Sequence, residues 1–145
     1  MGPATWAAVR ALVASEWGLR TMMGTLSHLP VETWWATWTA ADHAAAVHTF
    51  RAMDSGTGFV NDVRQAEPDR ARYRRLVQRS VACPTLVTAS RHDGGVAFAH
   101  AEDLAGTIPG ARLAETDAPS HFFWLGPPRH RVLESVASFL RETST

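Results

Sequence analysis

Two residues of this sequence have types and surroundings suited to acid–base chemistry. Asp93 lies in Ser90-Arg91-His92-Asp93-Gly94-Gly95, directly after the β-branched run Pro84-Thr85-Leu86-Val87-Thr88-Ala89, and His121 follows 28 residues later. An imidazole can take a proton from a hydroxyl and later return it to a leaving group. A carboxylate on its other nitrogen holds the tautomer and stabilises the imidazolium. Asp93 and His121 fit the carboxylate and imidazole roles. A serine nucleophile on a sharp strand-to-helix turn would complete the set, but no Gly-x-Ser-x-Gly occurs. The nearest text, Ser55-Gly56-Thr57-Gly58, has its glycines two apart and no strand before it. Read alone, the pair also fits a loop aspartate making turn hydrogen bonds and a surface histidine.

Rival candidates rank behind this pair. His92 adjoins Asp93, and adjacent residues at a strand end point in different directions, so His92 is expected at the surface. Asp117 stands four residues before His121 and is better suited to orienting the loop. His100 lies near Glu102 and Asp103 on an expected helix and reads as solvated. His28, His43, His48 and His130 lack metal-ligand spacing, so no metal site and no other cofactor is expected. The single cysteine, Cys83, excludes an internal disulfide framework and reads as a structural thiol at the entrance to a buried strand.

The elements that must position Asp93 and His121 follow from periodicity. Residues 1–80 are helical in pattern and rich in Ala and Trp. Trp6, Val9, Val13 and Trp17 recur at helical spacing behind Pro3, with Gly24 as a stop. Pro30 opens a short helix holding Trp34, Trp35 and Trp38, which either pack a core or roof an apolar pocket. Thr39 and Asp42 form a capping box, with Asp in place of Glu, for a helix through Val47, Phe50 and Met53. The segment Asp54–Gly58 breaks that helix, and Phe59, Val60 and Val63 suggest another. Tyr73, Leu76 and Val77 mark one face of a further helix whose other face carries Arg70, Arg72, Arg74, Arg75 and Arg79.

Residues 81–145 change texture. A strand over 84–89, a helix carrying Phe98, Ala101, Leu104 and Ala105, a short strand over 111–115 and a last helix from Pro128 succeed one another. The last helix shows an apolar stripe of Val132, Leu133, Val136, Phe139 and Leu140. This is an α/β pattern with two parallel strands and flanking helices. Asp93 and His121 each follow a strand, at the sheet edge where helices leave groups accessible. One βαβ unit separates them, so their loops should emerge side by side.

Composition narrows the function classes. The 145 residues form one domain-sized chain with 46% hydrophobic residues, 14 basic and 14 acidic residues and zero net charge. That balance argues against a nucleic-acid or anionic-membrane surface. The arginines around 70–79 adjoin Glu67 and Asp69, lack an aromatic stacking platform and read as a solvated face. No apolar run is long enough to cross a bilayer. Arg10 and Glu16 interrupt the first apolar stretch, which reads as an amphipathic helix rather than a signal peptide. Gly2 lacks the Ser or Thr at position 6 of a myristoylation start, so the expected location is the cytoplasm.

The text from Val81-Ala82-Cys83-Pro84-Thr85-Leu86-Val87 through Asp93, Ile108-Pro109-Gly110-Ala111, His121 and Phe139-Leu140 resembles the closing segments of α/β-hydrolases. The resemblance covers about residues 80–142 and keeps the family's chain order of acid before histidine. It implies an incomplete α/β-hydrolase fold: a helical cap-like region over 1–80, then the C-terminal end of the core over 81–145. It also implies a serine hydrolase acting on ester, amide or related bonds, with Asp93 as triad acid and His121 as base, and a small-molecule substrate in the complete enzyme. The nucleophile and oxyanion hole would lie upstream of Met1, so the chain alone is not expected to be competent. The open sheet edges call for a second copy or a complementing chain. The alternative is a non-catalytic binding module derived from the same fold.

Overall fold

A computed structural model of the chain describes residues 3–53 and 58–144. Met1, Gly2 and most of the expected break at 54–58 lie outside the described residues. Among the described residues seven helices and two strands follow one another: α1 Pro3–Leu12, α2 Glu16–Thr25, α3 Ala40–Ala52, α4 Gly58–Ala66, α5 Ala71–Arg79, β1 Leu86–Ser90, α6 Phe98–Thr107, β2 Arg112–Thr116 and α7 Arg129–Thr143. Short 3₁₀ turns occupy Val31–Thr33, Trp35–Thr37 and Pro68–Arg70.

β1 and β2 are parallel and in register from Leu86↔Arg112 to Ser90↔Thr116. Their C-terminal ends are therefore level, and the chains leaving them start from one edge. α6 makes the crossover between them, as a parallel pair requires. Among the described residues these two strands form the whole sheet. The α/β architecture with two parallel strands and flanking helices is as expected.

The main hydrophobic cluster joins both parts of the chain. Val13, Leu19 and Met23 pack with Trp34, Trp35 and Trp38, with Ala46 and Phe50 of α3, and with Phe122 and Leu125 beside His121. The three indoles lie 5.3–6.1 Å apart and are almost fully buried, so they pack a core. The short helix expected after Pro30 takes the form of two consecutive 3₁₀ turns, with Trp34 and Trp35 in or beside them.

The capping box at α3 forms as its residues suggest. The Thr39 hydroxyl accepts from the Asp42 N–H, and the Asp42 carboxylate accepts from the Thr39 N–H at 2.9 Å. Asp42 is also buried against the second half of the chain: it accepts from the Gly126 N–H at 3.3 Å and pairs with Arg129. Burial alone would raise its pKa. The Thr39 hydroxyl and N–H, the Gly126 N–H and the Arg129 charge outweigh that and hold the carboxyl below its ordinary value.

Several local expectations are corrected. The first helix is two, because Ser15 caps α2 by accepting from the Gly18 N–H at 3.0 Å. Trp17 consequently points outward, 72% exposed. Gly24 does not stop α2, which runs through Thr25. A Cβ at Gly18 would stand 2.0 Å from the Leu12 carbonyl oxygen, so only glycine permits this close packing of α1 against α2. Cys83 is exposed, since β1 begins three residues later. In α7 the stripe divides: Val132 is buried, while Leu133 and Leu140 are exposed. α5 presents Tyr73, Leu76 and Val77 to solvent, and its half-buried side carries Arg74 and Gln78. The Arg74 guanidinium donates to the carbonyls of Gln65 and Glu67 at 2.7 and 2.8 Å, closing the preceding turn.

Candidate active site

The loop after β1 folds around the Asp93 side chain. Asp93 Oδ1 accepts from the Gly95 N–H at 2.7 Å and the Val96 N–H at 2.9 Å. Such side-chain-to-backbone turns are what Asp offers a loop, and here they fix the carboxylate plane. Oδ2 remains for the histidine: His121 Nδ1 lies 2.8 Å from it. An ionised carboxylate only accepts, so Nδ1 carries the proton, and in the neutral ring Nε2 then has the lone pair. The Asp93 side chain is 9% exposed and that of His121 32%, a sheltered acid holding an accessible ring.

Close packing holds the pair. A Cβ at Gly95 would stand 3.2 Å from His121 Cγ and 3.3 Å from Asp93 Oδ1, so a side chain there would press on both groups. Phe122 and Trp124 approach the imidazole with ring centroids 5.9 and 6.3 Å away. An open cavity of about 230 Å³ adjoins Asp93 and His121, walled chiefly by Val87, Val96, Ala101, Leu104 and Phe123. Its lining is mostly apolar.

No protein-family model and no curated protein matches the chain. Among solved structures it is similar to an alpha/beta hydrolase fold protein from Nakamurella multipartita, with a TM-score of 0.61 and 26% identity. The similarity covers 92% of this chain and 46% of that one, so the chain spans just under half of that protein's length. The chain has part of an α/β-hydrolase fold.

Within this partial hydrolase fold, the other candidates lie apart from the Asp93–His121 contact. His92 is half-buried, and its carbonyl accepts from the His28 N–H at 2.8 Å. Asp117 is largely exposed and pairs with Arg131. His100 is exposed on α6 and borders the cavity. His43 stacks on Trp35 with ring centroids 4.3 Å apart, and His130 Nδ1 lies 2.6 Å from the Pro127 carbonyl oxygen. Among the described residues no three His, Cys, Asp or Glu side chains are grouped as metal ligands would be, and no helix is long and apolar enough to cross a membrane. Arg75 of the arginine-rich helix pairs with Asp103 at 3.2 Å.

Sequence reasoning missed the residues that tie the two loops together. Ser90, 1% exposed at the end of β1, donates to the Ala118 carbonyl at 2.6 Å and accepts from the His92 N–H at 3.1 Å. Its hydroxyl thereby links the acid loop to the histidine loop. Leu26 and Ser27, between α2 and the first 3₁₀ turn, also contact both loops. A small hydroxyl residue at a strand end was the available signal for Ser90. Nothing local marks Leu26 or Ser27.

Proposed function

We propose that this chain supplies the acid and the general base of a serine hydrolase of the α/β-hydrolase type, acting on an ester, amide or related bond of a small-molecule substrate. The observation that carries this reading is the 2.8 Å contact between the buried Asp93 carboxylate and His121 Nδ1, at the shared edge of two parallel strands. With Nδ1 held by Asp93, His121 Nε2 takes the serine proton as the hydroxyl attacks and returns it to the leaving group; Asp93 orients the ring and stabilises its cationic form.

The Gly-x-Ser-x-Gly nucleophile and the oxyanion donors belong, in this proposal, to the part of the fold that the chain does not span, so the chain alone does not turn over. Residues 1–80 act as the cap-like region and 81–145 as the end of the core. No cofactor takes part. The edge of β1 not paired with β2 receives the complementing half or a second copy. A second reading, a non-catalytic interaction module, draws support from the exposed Tyr73, Leu76 and Val77 face of α5.

A fluorophosphonate probe separates the two readings. The purified chain should leave every serine unlabelled. The longest polypeptide containing it should be labelled at a Gly-x-Ser-x-Gly serine and lose that labelling in His121→Ala. Labelling of the isolated chain would overturn the missing nucleophile, and labelling indifferent to His121 would overturn its role as base.

A further inference from the structure

A short segment of the helical part of the chain, Leu26-Ser27-His28, crosses both loops of the Asp93–His121 pair. The Leu26 carbonyl oxygen accepts from the Gly94 N–H at 3.1 Å and from the His121 N–H at 2.8 Å. One oxygen therefore holds a residue of the acid loop and the histidine itself. Ser27 forms an antiparallel bridge with Asp93, and the His28 N–H donates to the His92 carbonyl at 2.8 Å. The approach is tight, since a Cβ at Gly94 would stand 2.7 Å from the Ser27 nitrogen. The Ser27 hydroxyl faces two carbonyls, that of Pro119, two residues before His121, at 2.5 Å and that of Leu29 at 3.0 Å; the shorter contact is the one to Pro119, and the hydroxyl oxygen accepts from the Leu29 N–H at 3.0 Å.

The serine contacts form a matched arrangement. Ala118, Pro119 and Ser120 are all buried, and the first two present successive carbonyls. Ser90 from the end of β1 takes the Ala118 carbonyl, and Ser27 from the helical part takes that of Pro119. The register of β1 and β2 fixes only the strand ends, Ser90 and Thr116. Beyond them the two loops are held by the Ser90–Ala118 bond and by the strap, and a hydrogen bond weakens steeply once its distance and angle are lost.

We infer that Ser27 is a positioning residue: the Leu26–His28 strap sets the spacing of the acid and histidine loops that keeps Asp93 Oδ2 bonded to His121 Nδ1. The inference rests on the reading of these two residues as acid and base, and it makes their alignment depend on the helical part of the chain.

The test is side-chain ¹H–¹⁵N NMR of the histidines in the full chain, with His48 and His130 as internal references. Wild type should show His121 in a single Nδ1-protonated tautomer. In Ser27→Ala the His121 tautomer should become mixed and its Nδ1 proton should exchange about tenfold faster, the equivalent of roughly one hydrogen bond, with both references unmoved. Ser27→Thr, which keeps the hydroxyl, should restore the wild-type signal. Ser27→Cys, close in size and a weak donor, gives the reading if Ser27→Ala does not fold. An unchanged His121 signal in folded Ser27→Ala or Ser27→Cys would overturn the inference. The readout does not involve hydrolysis. A displaced signal in a chain whose longer form hydrolyses independently of His121 sinks only the proposed function; an unchanged signal with His121-dependent hydrolysis sinks only the role of Ser27.

Discussion

Asp93 makes two separable sets of bonds, so two substitutions at this position should behave differently. Asp93→Asn keeps a carbonyl oxygen for the Gly95 and Val96 N–H groups, now 2.7 and 2.9 Å from Oδ1. It replaces Oδ2, the partner of His121 Nδ1 at 2.8 Å, by an NH₂ that only donates. The imidazole must then present a bare Nδ1 and carry its proton on Nε2. Stability should fall by about 1 kcal/mol or less, because every bond retains a partner of neutral strength. Asp93→Ala removes the acceptor for both backbone donors and for the ring. Bonds to charged groups contribute about 1.5–3 kcal/mol and the donors are partly solvated, so a loss of about 2–4 kcal/mol is expected. Urea melts measure the difference, and ¹⁵N shifts of His121 report the tautomer. Equal destabilisation by the two variants, or an Nδ1-protonated His121 in Asp93→Asn, would refute the reasoning.

Other consequences concern the framework behind the site. Asp42→Ala leaves the Thr39 and Gly126 N–H groups without their acceptor and Arg129 without its partner, and should cost about 2–4 kcal/mol by thermal or chemical melts. Because the folded state lowers the Asp42 pKa from 3.8, its contribution is complete above about pH 4–5 and is lost as pH falls through the folded value. Asp42→Asn should therefore flatten that part of the acid limb of the stability curve. Gly126→Ala should cost about 2–5 kcal/mol: φ is +73°, which costs a residue with a Cβ about 1–2 kcal/mol. The Cβ would also stand 2.4 Å from Trp38 Nε1, an overpacking term of about 1–3 kcal/mol. Denaturant titration of the purified variant checks it.

What could be read from the sequence was local or periodic. The β-branched run 84–89 and the short run 111–115 gave strands displaced by one or two residues. Thr39 and Asp42 gave a capping box because their spacing alone dictates it. The proximity of Asp93 and His121 followed from one βαβ unit, which returns the chain to the same edge. Burial was harder to read. The apolar face of α5 and half of that on α7 were legible as stripes, but a stripe does not say whether anything covers it. Trp17 kept the helical spacing while Ser15 ended one helix and began the next, and the cap outweighed the period. The strap escaped notice for a different reason. Leu26 and Ser27 bond backbone groups more than sixty residues away, and backbone bonds leave no trace in residue type. The same holds for the second role of Asp42, whose bond to Gly126 spans 84 residues.

One kinetic comparison tests the roles of Asp93 and His121 most directly: turnover of a panel of small activated esters by the longest polypeptide containing this chain, with and without His121→Ala. A positioned general base contributes about 10²–10⁴ in rate, so kcat/KM should fall by at least about a hundredfold while the thermal midpoint stays close to that of wild type. Wild-type turnover in His121→Ala would contradict the assignment of Asp93 and His121 as the acid and base of a hydrolase.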